Sequence, residues 1–548
     1  MRPISEQPPF PLPPPGGAVE QIEIVDAEAG EGRKIMSADE HVDTVDLVQP
    51  EPLDRAAKMT LIDLTRPRRA EALRGQGKTP GLGEGDAFLH AAGVSAGIWP
   101  SDAAPRRHWQ PTNGNCVRYN LSYIWSMWLL AKMLDRIVRR GELLVIDHDG
   151  REYRFGSPDP ERARVVIRLT DRRAAFDIAR DPRLGGGEAY MNGRLVMEEG
   201  EILDLVDLFR SNAPWDRGRG KGGLKKSGSR MLARLDRLNW QRRSKRNVAH
   251  HYDLSDRLYD LFLDADRQYS CAYFIDPSNS LDQAQLDKKA HIAAKLYLQP
   301  GQRVLDIGCG WGGMALYLNR VADVDVLGIT LSEEQLKVAR RRAEEAGVAD
   351  RVKFELIDYR DLEGTFDRIV SVGMFEHVGP PHYRAFYRKC RSLLATDGVM
   401  LLHTIGRMGG PGVTDAWTRK YIFPGGYIPA LSEMVRASER TKLIIADIET
   451  LRLHYGYTGE RWYRRVTEKR DEIVALYDER FFRMWQFYLA GVVVTFRYGG
   501  MVNYQVQYIR DRHALPITRD YMAEAEERYR QLGKGRTVAD PALRPAAE

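Results

Sequence analysis

The sequence predicts an α/β protein: a small α+β domain at about 121–210, then a larger domain over about 247–530 in which strands and helices alternate. Three observations point there. Short apolar runs of strand length recur between charged, helix-length segments from Arg303 onward. A glycine-rich turn, VLDIGCGWGG (Val304–Gly313), sits between the first such strand and a helix. The composition, 43% hydrophobic and 29% charged over 548 residues, is that of a globular chain long enough for more than one core.

Residues 1–120 are expected to be a disordered extension. They are rich in Pro, Gly and acids, with seven prolines in the first 15 positions and a net charge of −7 over the first 60. Leu121–Arg140 reads as an amphipathic helix, with Leu129, Leu130, Met133, Leu134 and Val138 at helical spacing. GELLVIDHDGREYRFG reads as a hairpin turning at Asp149–Gly150. Arg164–Leu169 is a further strand, and Asp181–Arg210 combines a Gly-rich turn with an apolar helix. Residues 211–246 then carry 12 basic and 2 acidic side chains. Such a stretch is a basic linker or helix. Its charge suits nucleic acid, an anionic lipid surface or plain solvation.

In the larger domain the strands are Arg303–Ile307, Val324–Ile329, Val352–Ile357, Phe366–Val372 and Gly398–Thr404. Helices are expected over Met314–Val321, Ser332–Ala346 and between the last two strands. Residues 531–548 read as a flexible tail. Cys116, Cys271, Cys309 and Cys390 form no CxxC pair, so neither a disulfide framework nor a zinc ribbon is expected. No apolar run is long enough to cross a bilayer, and the first residues lack a signal-peptide pattern. A cytoplasmic protein is therefore expected.

The glycine loop is not a Walker-type phosphate loop. Gly308, Gly310 and Gly313 satisfy a dinucleotide fingerprint, but the second strand ends in Ile329–Thr330 without the acid that would hold a ribose. The same strand–turn–helix context fits the first motif of S-adenosylmethionine methyltransferases, where Asp306 could bond a ligand amine or a loop amide.

Six motifs in order raise the specificity: NVAHHYDLSDRLYDLFLD (Asn247–Asp264), QYSCAYF (Gln268–Phe274), VLDIGCGWGG, GITLSEEQ (Gly328–Gln335), SVGMFEHVG (Ser371–Gly379) and LLHTIG (Leu401–Gly406). Together they resemble the cyclopropane-fatty-acid-phospholipid synthases and their mycolic-acid-modifying relatives. GEAYMNGRLVMEEG in the small domain resembles the N-terminal domain of the bacterial phospholipid enzymes.

The resemblance implies a Rossmann-like class I methyltransferase domain. It implies that S-adenosylmethionine is held by Tyr269, Ser270, Asp306, Gly308, Gly310, Thr330, Leu331, Gln335, Asp358 and Tyr359. It also implies a bicarbonate ion caged by Cys271, Glu376, His403, Ile405 and Tyr455, the last placed by its distance to Trp462 in HYGYTGERW. No metal is implied.

The implied reaction adds a methylene carbon to the cis double bond of an unsaturated phospholipid acyl chain. It needs positioning, a dry aromatic channel and one weak base. The resemblance further implies peripheral contact with the inner face of the membrane and allows a homodimer; no nucleic acid is expected, since the basic stretch shows no recognised nucleic-acid motif. A related enzyme leaving a methyl-branched or methylene chain, a soluble-acceptor methyltransferase and a non-catalytic lipid-binding protein are the competing readings. The retained glycines, Glu376 and His403 argue against the last.

Overall fold

The computed structural model describes residues 121–217 and 255–534, which belong to one compact unit. The expected extension, the basic stretch from 218, the motif residues 247–254 and the tail after 534 lie outside the described residues.

The small domain is a four-stranded sheet in the order β2-β1-β3-β4. Its strands are β1 (Gly141–Ile146), β2 (Glu152–Ser157), β3 (Val165–Leu169) and β4 (Leu195–Glu199). The β1–β2 hairpin turns where expected. Gly150 adopts φ +81°, and Asp147 Oδ1 accepts from the amides of Asp149 and Arg151. The helix Leu121–Ile137 buries Met127, Leu130 and Leu134 against this sheet. Asp171 caps the helix Arg172–Arg180 and also receives Arg194, whose hydrogen bond holds the Asp171 carboxyl down to about 2.

The larger domain carries a seven-stranded sheet in the order β10-β11-β9-β8-β5-β6-β7. Its strands are β5 (Arg303–Ile307), β6 (Asp325–Thr330), β7 (Val352–Leu356), β8 (Phe366–Val372), β9 (Leu394–Arg407), β10 (Ile444–Leu451) and β11 (Met501–Ile509). The first five run parallel, while β11 lies antiparallel between β9 and β10. This is the Rossmann-like methyltransferase order, closed by an antiparallel pair. Helices Leu281–Lys295, Gly313–Ala322, Glu333–Glu345 and Asp520–Lys534 cover one face. Tyr383–Leu393 and Leu431–Glu439 cover the other.

Several elements differ from expectation. The Gly-rich stretch expected to turn after Asp181 is the helix Leu184–Met191. β9 extends well beyond Gly398–Thr404 in both directions. The last helix runs past 530 to Lys534, because Tyr529 packs into the sheet-face core. β10 and β11 are additional strands. β11 alternates Val502, Tyr504, Val506 and Tyr508 with Asn503, Gln505 and Gln507, yet both faces are buried. Its amide face is legible as strand only once something is known to cover it.

The two domains share an interface along the helix Glu479–Tyr498. Tyr190 Oη donates to Gln486 Oε1 at 2.6 Å, and Tyr463 Oη to Glu201 Oε2 at 2.9 Å. Among the described residues, no helix is long and apolar enough to cross a membrane.

Candidate active site

The candidate residues gather where the parallel strands end, at the switch between β5 and β8, where such sheets bind ligands. Gly308 and Cys309 turn back at once, both amides donating to Ile329 O at 2.9 and 3.0 Å. Two glycines serve different purposes. At Gly310, φ is +55° with open space where a Cβ would stand, so the loop surface there is left clear for a ligand. At Gly312, φ is +83° and a Cβ would lie 2.7 Å from Phe354, so this glycine is needed for helix–sheet packing.

Asp306 at the end of β5 is 1% exposed, and its Oδ2 has no hydrogen-bond partner among the described residues. Burial pushes its carboxyl up to about 7, with Lys288 pulling the other way. A buried, unsatisfied carboxylate oxygen beside a glycine loop fits the ammonium of an amino-acid-bearing ligand, so the residues present fit the expected cofactor.

The sign of the shift gives an expected result. The folded carboxyl resists ionisation near neutral pH, so its burial penalises the fold above about pH 7 and less as pH falls towards the ordinary carboxylate range. Asp306→Asn without ligand should therefore melt higher than the native chain at pH 8, with the gap narrowing at pH 5 and closing only below the ordinary carboxylate value of 3.8. A gap that is constant with pH in scanning fluorimetry would refute this.

Tyr269 and Ser270 are held from behind by Lys288, which sequence reasoning missed. Its ammonium, fully buried, donates to Gln268 Oε1 at 2.6 Å and Ser270 Oγ at 2.8 Å. Burial pulls Lys288 down to about 8. Two adjacent lysines on a helix read as a solvated face, so no sequence signal marked the first as internal. Tyr269 packs on Trp462 at 5.3 Å, and its hydroxyl meets that of Tyr488 at 3.5 Å.

Thr330 donates to Gln335 Oε1 at 3.1 Å, and Ser332 caps the helix Glu333–Glu345 that carries Gln335. Leu331 between them is 44% exposed. Asp358 is buried but bound through both oxygens by Arg360, and Tyr359 packs edge-on to Phe386 at 5.4 Å. These last two lie at the end of β7, committed to neighbours within the protein.

The second cluster forms around Glu376, in the turn Phe375–His377 after β8. Its Oε1 accepts from Ile405 N at 2.7 Å, while Oε2 is buried without a partner among the described residues. Burial raises this carboxyl to about 7. His403 lies on β9 opposite Val372 of β8, 1% exposed. Its two ring nitrogens face Asn503 Nδ2 at 3.0 Å and Gln505 Nε2 at 3.1 Å. Burial holds it well below the usual histidine range, so it is neutral.

Cys271 is 1% exposed, and burial pushes its thiol far up, so it is no nucleophile. The next residue ties this segment to the helix His454–Glu468, Ala272 N donating to Thr458 Oγ1 at 3.0 Å. Tyr455 on that helix packs against Phe496 at 4.6 Å and Trp462 at 5.8 Å. Cys271, Tyr269, Ile405 and Tyr455 thus face one apolar cluster. Phe423, Trp485 and Tyr488 continue it as an aromatic wall.

An anion beside an ionised Glu376 would meet like charge, whereas the neutral carboxyl can donate through Oε2. The raised value of Glu376 and the neutral His403 make the cluster compatible with a small anion.

Comparison with known proteins yields a consistent set. The profile described as mycolic acid cyclopropane synthetase matches residues 239–506. A probable fatty acid methyltransferase of Pseudomonas putida is 40% identical over 388 residues, covering 68% of this chain and 94% of that protein. The cyclopropane-fatty-acyl-phospholipid synthase of Escherichia coli K12 is 39% identical over 341 residues, 61% of this chain and 85% of that protein. Among solved structures, the cyclopropane synthase MmaA2 of Mycobacterium tuberculosis is 32% identical with a TM-score of 0.47, covering 48% of this chain and 97% of that one.

Proposed function

This chain belongs to the mycolic acid cyclopropane synthetase family, whose members are S-adenosylmethionine-dependent methyltransferases, and we propose that it adds a methylene carbon across the cis double bond of an unsaturated phospholipid acyl chain. The observation that carries this reading is the buried Glu376, with one oxygen engaged by Ile405 N and the other without a partner among the described residues, in the turn after the strand whose last residue, Val372, pairs with His403.

The cofactor pocket is formed by the Gly308–Gly310 loop, Asp306, Thr330, Leu331, Gln335 and the Tyr269–Ser270 segment, with Asp358 and Tyr359 at its far end. S-adenosylmethionine bound there supplies an electrophilic methyl carbon. The aromatic wall of Tyr269, Phe423, Trp462, Trp485 and Tyr488 excludes water and turns π faces towards the acyl chain, where positive charge develops. Glu376, His403 and Tyr455, with the backbones of Cys271 and Ile405, would hold bicarbonate, which would supply a weak base for the proton that ring closure releases. Cys271 stays a thiol and forms no covalent bond.

The domain at 121–210 packs on the helix Glu479–Tyr498, whose other residues build the aromatic wall, so it braces the acyl site from behind. The basic stretch at 211–246 is proposed to contact anionic lipid, each residue contributing about 1 kcal/mol at best.

A second reading, methylation without ring closure, is favoured by the likeness to the probable fatty acid methyltransferase of Pseudomonas putida and to the tuberculostearic acid methyltransferase UfaA1 of Mycobacterium tuberculosis, 33% identical over 408 residues. One experiment separates the two. The protein is incubated with monounsaturated phospholipid liposomes and S-adenosylmethionine bearing a fully deuterated methyl. Acyl chains that keep two deuteriums and resist mild hydrogenation are expected. Chains with three deuteriums, or with two and a reducible bond, would establish a branched product instead. No acyl product, with cofactor binding intact, would refute both.

A further inference from the structure

S-adenosylmethionine ends in an amino acid, so a pocket that holds it must meet an ammonium and a carboxylate on one carbon. Asp306, with its unsatisfied Oδ2, answers the ammonium. The helix Leu281–Lys295 supplies the answer to the carboxylate. Gln285 and Lys288 stand about one turn apart on it, and both are fully buried. Gln285 Nε2 donates to the carbonyls of Gln268 at 3.2 Å and Ser270 at 3.0 Å, which pins the backbone of that segment.

Lys288 then fixes the side chains. Its Nζ donates to both Gln268 Oε1 and Ser270 Oγ. Gln268 cannot turn over, because its Nε2 donates to Asp266 Oδ2 at 3.0 Å. An ammonium has donors and no lone pair, so Ser270 Oγ can only accept from it. The Ser270 proton must therefore point away from Lys288, and no acceptor for it stands among the described residues.

Lys288 keeps its charge at neutral pH. Burial, helped by the neighbouring Lys289, pulls it down to about 8, while Asp264 and Asp266 pull the other way. It is also the charge that acts on Asp306. Ser270 and Asp306 thus gather around one ammonium, a hydroxyl donor and a carboxyl, which together complement the two charged ends of an α-amino acid.

We propose that Lys288 is a positioning residue for the cofactor's carboxylate: it turns the Ser270 hydroxyl outward as a donor and sets a buried positive charge behind it, while Asp306 takes the ammonium. The inference rests on the reading of the preceding subsection, in which this segment and the loop after β5 hold S-adenosylmethionine. It makes the carboxylate, and not the sulfonium end alone, a group by which the pocket selects its ligand.

The test is calorimetry on the full chain without lipid, using S-adenosylmethionine and its decarboxylated form, which lacks only the carboxylate. The native protein should prefer the first by about tenfold or more, the worth of a hydrogen bond to a charged group. Lys288→Met should remove most of that preference. S-adenosylmethionine should bind more weakly, while the decarboxylated ligand, purely cationic, should bind as well as before or better once a like charge is gone. A lysine that merely held the fold would weaken both ligands alike. Ser270→Ala, which leaves Lys288 in place, should lose part of the preference and decides the matter if Lys288→Met does not fold. A native protein indifferent to the carboxylate overturns the proposal. So does a Lys288→Met or Ser270→Ala protein that keeps the full preference. If the native protein made no acyl product at all, the proposed function would fail while these affinities still decided the role of Lys288.

Discussion

Glu376→Ala is expected to lose at least about 100-fold in kcat, the usual cost of removing one preorganised donor from a reacting site. S-adenosylmethionine binding, proposed to rest on the loop after β5, should be little changed. Glu376→Gln should retain turnover within about tenfold. The distinction follows from the state of the carboxyl. Burial raises Glu376 to about 7, so its neutral form, one acceptor and one O–H donor, is well populated at neutral pH. A glutamine reproduces both functions: its oxygen can accept from Ile405 N, as Oε1 does at 2.7 Å, and its N–H can replace the Oε2 proton. Alanine supplies neither and leaves the Ile405 amide buried without an acceptor. Steady-state turnover on monounsaturated liposomes decides the matter. If Gln is as inactive as Ala, Glu376 acts in its ionised form and the donor role is wrong.

Trp462→Ala should destabilise the fold by about 3–5 kcal/mol, the range for a large aromatic removed from a packed core. Trp462 is fully buried on the helix His454–Glu468. Its ring meets Phe262 at 6.0 Å, Tyr269 at 5.3 Å and Tyr455 at 5.8 Å. Its Nε1 has no hydrogen-bond partner among the described residues, so the loss is one of packing and not of a polar contact. The cavity would open between a residue assigned to the cofactor and one assigned to the anion cage. The fall in stability should therefore come with a raised KM for S-adenosylmethionine. Trp462→Phe should recover most of both. Urea denaturation followed by tyrosine and tryptophan fluorescence gives the first quantity and initial rates the second. A loss under 1 kcal/mol would mean that the rings close over the gap.

The parallel half of the sheet was legible because each of its strands is a short apolar run ended by a turn. Buried strands flanked by helices carry that pattern within the strand itself. The cofactor loop was legible for a related reason. Gly310 and Gly312 answer local demands, a left-handed φ and a close approach, that only glycine meets. The identities of Glu376, His403 and Ile405 came from ordered motifs; β8 ends opposite His403 of β9, and the turn after β8 sets Glu376 on the Ile405 amide.

What the chain's own pattern determined was the order of the elements, the glycine turn and which residue types stand at the strand ends, since these depend on neighbours within a few positions. What only the tertiary structure decided was the environment of the polar groups. Lys288, Lys295, Gln505 and Asn503 look like ordinary surface residues until β11 inserts beside β9 and the helix Leu281–Lys295 covers it. Burial then raises Asp306 and Glu376, keeps His403 neutral and turns two lysines inward. The cost of stripping water from a charge depends on every element packed around it, and no stretch of sequence carries that sum.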